Sequence, residues 1–383
     1  MKFVIAPDKY KGSLTAFEIC DAVEKGIRLV FEDAVVVKLP LADGGDGTIE
    51  VVKHYLKGDK VFITAMDPFC RPVQASYLYS GESKTAYIEM AEASGLKLLK
   101  EGEKDCLRTS TIGTGELLVD ALDKGANKII LGIGGSATND GGMGMATALG
   151  YRFLDKDGRV LDPIGVNLGR VSRVDATSVD PRIKSVSIKV ACDVSNAFYG
   201  PNGAAYIYAA QKGASESEIE MLDEGLRNFA SVLKESFDID VQEIPGSGAA
   251  GGVGGASLVF LGADLQSGIG LIKDLAGFEE KISDADWIIS GEGKLDEQTL
   301  AGKTISGVIT SAKKFSIPVA AFCGALNISI EHQKSIGLTY AVAILQETGN
   351  LEQALLASNK NLVQAVYNWA NVLRHKLGDS YYN

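Results

Sequence analysis

The chain has 383 residues, 46% of them hydrophobic and 23% charged, a balance that excludes a disordered chain and permits a sizeable buried core. That length exceeds the roughly 150 residues around which a single core usually closes, so two domains are expected. The net charge of −11 excludes nucleic acid or an anionic membrane as a general partner, because long-range repulsion would oppose either.

The first stretch reads strand, loop, helix. Residues 3–6 form a short apolar run, and Thr15-Ala-Phe-Glu18 is a capping box opening a helix whose inward face is Ile19, Cys20, Val23, Ile27 and Val30. Residues 61–65, 73–79 and 85–90 are β-rich runs separated by turn signals, which predicts an antiparallel meander. A helix follows over 114–124, stopped by Gly125, and then a buried strand over 128–133. Ser215-Glu-Ser-Glu218 opens a second capped helix that turns Ile219, Leu222, Leu226, Phe229 and Leu233 inward. In the last third, strands at 286–290, 318–323 and 339–345 alternate with helical stretches, ending in a long helix over 351–377. Such alternation predicts a parallel sheet covered by helices. The fold class expected is therefore α/β with two domains. A discontinuous Rossmann-like parallel-sheet domain, 1–62 with 260–383, carries a mixed α/β domain, 63–259, inserted into it.

The five cysteines are scattered and form no CxxC pair, so neither a disulfide framework nor structural zinc is expected. His54, His332 and His375 have no neighbours at metal or triad spacing, which disfavours zinc and histidine-base chemistry. Neither a leader-like segment nor an apolar run of about 18 residues occurs, and a cytoplasmic location is the expectation.

Glycine is over-represented, with 44 residues against a usual ~7%, and it clusters. The clusters are Asp8-Lys-Tyr-Lys-Gly-Ser13, Ala42-Asp-Gly-Gly-Asp-Gly-Thr48, residues 132–142, residues 245–254 and Ser290-Gly-Glu-Gly-Lys-Leu-Asp296. Backbone N–H groups reach a phosphate only where no side chain intervenes, so a polyphosphate is the guest these loops suggest. For any single loop, tight turns and close packing explain glycine equally well.

Two familiar nucleotide patterns fail on inspection. Gly132-x-Gly-x-x-Ala137, with Asp155 beyond it, matches the loose dinucleotide fingerprint, yet Asn139-Asp140-Gly141-Gly142 would break the helix that fingerprint must open. Gly302-Lys303-Thr304 has Glu297 where a P-loop needs glycine. Phosphoryl transfer needs cations and N–H groups at the phosphates, a carboxylate-held magnesium ion and a base near the attacking hydroxyl. Carboxylates suited to this are Asp43, Asp46, Asp140, Asp193, Glu292 and Asp296; the cations are Lys9, Lys11 and Lys303.

The ordered series Ala6-Pro-Asp-Lys-Tyr-Lys-Gly-Ser-Leu14, Ala42-Asp-Gly-Gly-Asp-Gly-Thr48, Glu89-Met-Ala-Glu-Ala-Ser-Gly-Leu96, Thr111-Ile-Gly-Thr-Gly-Glu-Leu117, Gly132-Ile-Gly-Gly-Ser-Ala-Thr-Asn-Asp-Gly-Gly142, Ala191-Cys-Asp-Val194, Gln211-Lys-Gly-Ala214, Gly248-Ala-Ala-Gly-Gly252 and Gly291-Glu-Gly-Lys-Leu-Asp-Glu-Gln-Thr299 resembles the bacterial glycerate kinase family. The resemblance spans essentially the whole chain. It departs at Ser195 and Ala197-Phe198, and at Gln346-Glu-Thr-Gly349.

The resemblance implies a two-domain α/β fold with the active site in the cleft between domains, and transfer of phosphate from ATP to D-glycerate, giving 2-phosphoglycerate or 3-phosphoglycerate. Site roles rest on chemistry. Asp193, Asp43 and Lys11 are the catalytic candidates, with Asp193 as base and Asp43 second. Lys9, Gly12, Ser13, Gly134, Gly135, Ser136, Asn139, Asp140, Gly141 and Gly142 would hold nucleotide phosphates. Arg108, Thr109, Ser110 and Thr111 would bind the glycerate carboxylate, and Glu292 with Asp296 would hold Mg2+. The partner expected is the small molecule alone, acting on a monomer or homodimer. Two other classes compete: a nicotinamide-dependent oxidoreductase of a small hydroxy acid, and a non-catalytic metabolite-binding protein.

Overall fold

Short-range hydrogen bonds start the first helix where its spacing says they should. Thr15 caps Ala16–Arg28 reciprocally: the Glu18 N–H donates to Thr15 Oγ1 (3.2 Å) and the Thr15 N–H to Glu18 Oε2 (2.8 Å). The helix buries Ile19, Cys20, Val23 and Ile27 in one cluster with Leu362, Val366, Trp369 and Ala370 of the last helix, Leu351–Lys376. The computed structural model describes residues 1–44, 47–296, 304–346 and 350–376. Asp46 and Lys303, both candidates above, lie outside the described residues, as do 347–349 of the departing segment.

The chain divides into two compact units, Met1–Tyr55 with Ile269–Asn383, and Leu56–Gly268. The first holds a five-stranded, wholly parallel sheet in the order Tyr340–Ala343, Val319–Cys323, Trp287–Ser290, Lys2–Ile5, Val35–Lys38. From the interior strand Lys2–Ile5 the chain steps one way to the edge strand Val35–Lys38. After the second unit it returns on the other side and steps outward. The strand order therefore reverses between Lys2–Ile5 and Trp287–Ser290, the place where open α/β sheets leave a crevice at their carboxyl ends.

The second unit holds a six-stranded mixed sheet in the order Asp264–Gln266, Ser187–Ala191, Lys128–Gly132, Thr85–Glu89, Pro72–Ser80, Asp59–Met66. The last three strands form the meander, antiparallel in register Val61↔Tyr77 and Tyr79↔Ala86, while Thr85–Glu89 runs parallel to Lys128–Gly132. The meander begins at Asp59 and stays with its sheet. The unit's boundary at Leu56 accordingly precedes position 63, and its far boundary at Gly268 follows position 259, because Asp264–Gln266 pairs with Ser187–Ala191.

One segment differs from its reading. The glycine run 245–254 is not an open loop throughout: Ala249–Leu261 is an almost wholly buried helix, interrupted near its start by a kink in which Ala250, Gly251 and Gly252 take left-handed φ values. Here the glycines serve packing, letting backbone approach backbone.

Candidate functional site

In the first unit the two loops that leave the strands at the reversal point lie together. The Asp8 N–H donates to the Gly291 carbonyl (2.9 Å), and a Cβ built on Gly293 would stand 3.3 Å from the Lys11 backbone nitrogen. The structure thus groups Lys9, Lys11, Gly12 and Ser13 with the segment bearing Glu292 and Asp296. A cavity of about 350 Å³ is lined by Asp8, Lys9, Gly12, Ser13, Gly47 and Glu50, among others. Lys11 and Gly12 are exposed, Gly12 at φ +76° with open space around it. Both donors of Ser13 are engaged, its N–H by the Tyr10 carbonyl (2.8 Å) and its hydroxyl by the Leu355 carbonyl (2.9 Å). Ser13 therefore shapes the loop, and the capping box closes the adjoining helix start.

Asp8, which carried no role in the sequence reading, is buried in this loop. Its Oδ1 accepts the Lys9 N–H (2.7 Å) and its Oδ2 the Thr304 hydroxyl (2.9 Å). Burial, and then the charge of half-buried Asp43 nearby, raises the Asp8 carboxyl above the usual range. A carboxylate pair on neighbouring loops is the arrangement that draws a cation or a proton. Glu292 is 8% exposed, and Asp296 pairs with Lys294 at 2.8 Å. Both offer oxygen donors of the kind a hard divalent cation takes, and magnesium commonly uses only one or two carboxylates beside substrate phosphates. Among the described residues no cluster of three or more His, Cys, Asp or Glu forms a fuller metal site.

In the second unit the parallel strands Lys128–Gly132 and Ser187–Ala191 end side by side, Gly132 opposite Ala191. The 133–142 loop and Asp193 therefore leave the sheet at the same edge. Asp193 is exposed, and its Oδ1 accepts the Gly268 N–H (2.8 Å). Gly134 and Gly135 are also exposed, and the loop is stitched to the helical turns that follow Thr85–Glu89 by the Leu96 N–H on the Gly135 carbonyl and the Ala137 N–H on the Ser94 carbonyl, each 2.9 Å.

The remainder of that loop faces inward. Asp140 is fully buried: Oδ2 accepts the Thr111 N–H (2.8 Å), the Thr111 hydroxyl (2.7 Å) and the Gly144 N–H (3.1 Å), and Oδ1 accepts the Gly142 N–H (3.1 Å). Burial raises its carboxyl pKa against those hydrogen bonds. The Gly141 N–H goes to the Gly251 carbonyl (3.0 Å). Asp140, Gly141 and Gly142 thus hold the loop from beneath instead of offering donors at its surface, and Asn139 is 0% exposed. Thr109, Ser110 and Thr111 are likewise 0% exposed, with the Thr109 hydroxyl on the Ala137 carbonyl (3.1 Å). Of that segment only Arg108 reaches solvent, its side chain 77% exposed and loosely paired with Asp105 at 3.7 Å.

Lys212, quoted within Gln211-Lys-Gly-Ala214 but given no role, is 2% exposed. Its Nζ donates to Ser136 Oγ and to the Thr138 carbonyl, both at 2.7 Å. Burial pushes the ammonium down to about 8, against the opposing pull of Cys106 and Asp140. Nothing in the local sequence marks it, since a lone lysine between Gln211 and Gly213 reads as a solvated charge.

The dinucleotide pattern is not realised. No helix opens within Gly132-x-Gly-x-x-Ala137; the next begins at Met143. Asp155, the would-be ribose ligand, accepts the N–H groups of Asp157 and Arg159 at 2.9 Å each and closes a turn.

The glycerate kinase family matches residues 3–374. A "Glycerate 2-kinase" of Escherichia coli K12 is 44% identical over 97% of this chain and 98% of its own length. A "Glycerate kinase" of Halalkalibacterium halodurans is 44% identical over 96% and 97%. A crystal structure from Salmonella typhimurium LT2, named for glycerate kinase 2, superposes with a TM-score of 0.87 at 40% identity, covering 98% of this chain and 99% of that one.

Proposed function

Because this chain belongs to the glycerate kinase family along nearly its whole length, we propose that it transfers the γ-phosphoryl group of ATP to a hydroxyl of D-glycerate, releasing ADP and 2- or 3-phosphoglycerate. The observation that supports a phosphate site most directly is the pairing of the 8–13 and 291–296 loops at the strand-order reversal, with two lysines and an exposed, side-chain-free Gly12 on one of them. Lys9, Lys11 and the Gly12 backbone neutralise and orient the phosphates. Glu292 and Asp296 are the residues that would hold Mg2+, which when bound shields the phosphate charge during transfer. Gly134, Gly135 and Ser136 offer a second anion-accepting turn, and Arg108 a guanidinium suited to a carboxylate.

In the transfer the glycerate oxygen forms a bond to phosphorus while the bond from phosphorus to the β,γ-bridging oxygen breaks. The hydroxyl proton passes to a carboxylate, for which Asp193 is the first choice and Asp43 the second. A cytoplasmic location is part of this proposal, supported by the need for ATP and by five cysteines that are all free thiols. The relatives lend no support to a nicotinamide oxidoreductase or a non-catalytic binding protein.

A coupled assay of ADP release, followed by phosphorus NMR of the product, tests the reading. ATP, magnesium and D-glycerate give a phosphoglycerate, and Asp193→Asn lowers kcat roughly 100-fold or more. Turnover within a few-fold of the parent in both Asp193→Asn and Asp43→Asn overturns the assignment of the base. Tight NADH binding with no ATP turnover overturns the kinase.

A further inference from the structure

The Lys212 ammonium has no place in the roles above, yet it sits where a lysine is rarely found. It is buried, and among the described residues no carboxylate stands within ion-pair distance of it, an arrangement that is unfavourable unless the charge has a use. Both of its partners belong to one turn: the Ser136 side chain and the Thr138 carbonyl. The same turn presents exposed Gly134 and Gly135, and a Cβ built on Gly134 would meet no atom within 4 Å. Beside them, Thr138 Oγ1 and both polar atoms of the buried Asn139 amide lack a hydrogen-bond partner among the described residues. The polar capacity gathered here exceeds what the chain itself consumes.

Resting on the kinase reading, we propose that Lys212 is a positioning residue for the 134–138 turn, fixing Ser136 to receive an anionic oxygen group of one bound reactant and placing a positive charge behind it. Ser136 Oγ accepts from the ammonium, so its own O–H is turned outward as a polarised donor. The lysine does not touch the anion. A purely mechanical tie would keep its value if the charge vanished, whereas an electrostatic role makes affinity for the anion follow protonation of the ammonium. Below its pKa, about 8 in the unliganded chain, that affinity is constant; above it, affinity falls about tenfold per pH unit. The groups that face the ammonium are Cys106 and Asp140, with Asp105 and Glu218 beyond Cys106. Burial holds the Cys106 thiol up at about 11, outside that window.

The test measures kcat and KM for ATP and for glycerate separately, from about pH 7 to about pH 9.5, in the wild type and in Lys212→Met. The substitution is expected to raise KM for one reactant roughly 10- to 100-fold and to leave the other within about threefold. Which KM moves tells whether the turn receives the nucleotide's phosphate or the acid's carboxylate. The falling alkaline limb of kcat/KM for that reactant is present in the wild type and absent in the variant. Unchanged KM values with the limb intact in Lys212→Met overturn the proposal. Should the variant not fold, the wild-type profile decides: a falling limb for one reactant supports it, and flat profiles for both overturn it. A wild type that releases no ADP from glycerate overturns the kinase reading and this inference with it, while an active wild type beside an indifferent variant overturns the role of Lys212 alone.

Discussion

A buried ammonium leaves a mark on stability that is independent of any ligand. The lysine value drops from its ordinary 10.5 to about 8 in the folded chain, chiefly through burial, a difference on the order of 3 kcal/mol. Between those values the unfolded chain holds the proton more often than the folded one, so folding stability rises with pH there; below about 8 the penalty is present in full. Urea unfolding at several pH values should show the wild type gaining roughly 2 kcal/mol on Lys212→Met between about pH 7.5 and about pH 10. A constant gap between the two would show that the ammonium is not desolvated. The same residue shows what a sequence hides: burial of Lys212 and Asp8 is decided by segments far away in the chain, Ser136 and Thr138 for one, Thr304 for the other. Their immediate neighbours carry no trace of it. Asp43, Asp193 and Glu292 were legible as candidates because a carboxylate in a loop after a strand is a local pattern.

Elements were legible in proportion to how local their determinants are. The capping boxes at Thr15 and Ser215 act over three residues, and both are realised, with the Ser215 N–H on Glu218 Oε2 at 2.7 Å. The glycine runs were legible only as glycine, because the same residue serves an exposed turn and a crowded crossing. Gly12 and Gly251 separate the two uses. They have similar left-handed φ values, +76° and +72°, but a Cβ on Gly12 meets nothing, whereas one on Gly251 overlaps the Thr138 carbonyl and lies 2.6 Å from Asn139 Cα. Gly12→Ala should therefore lower unfolding free energy by roughly 1 kcal/mol, the left-handed strain alone. Gly251→Ala should lower it by about 3 kcal/mol or more, since the loop that Lys212 braces must also shift. Equal losses in chemical denaturation would mean that the kinked start of Ala249–Leu261 yields without disturbing that loop.

At the scale of the whole molecule, the two units differ in how they own their chain. The Leu56–Gly268 unit is one continuous segment, its six-stranded sheet is complete within it, and its buried cluster, from Ala65 to Ala263, is drawn from its own residues. The other unit is assembled from both ends: Lys2–Ile5 is the partner of Trp287–Ser290, in register Phe3↔Trp287, so neither terminal piece has its central strand pair alone. Alternating strands and helices in the last third made the parallel sheet legible, but not that Lys2–Ile5 would be the strand that pairs with Trp287–Ser290. The residues 56–268, expressed alone, should fold with a cooperative thermal transition and a strand-and-helix circular dichroism spectrum. The residues 269–383 alone should not. Both tryptophans, Trp287 and Trp369, lie in the discontinuous unit, with ring centroids 5.1 Å apart. In the full chain, indole fluorescence therefore follows that unit only, while far-ultraviolet dichroism follows both. The dichroism transition of the isolated 56–268 segment should fall within the full-chain dichroism curve. A segment that melts without cooperativity would show that its core, though complete in residues, depends on the other unit for its stability.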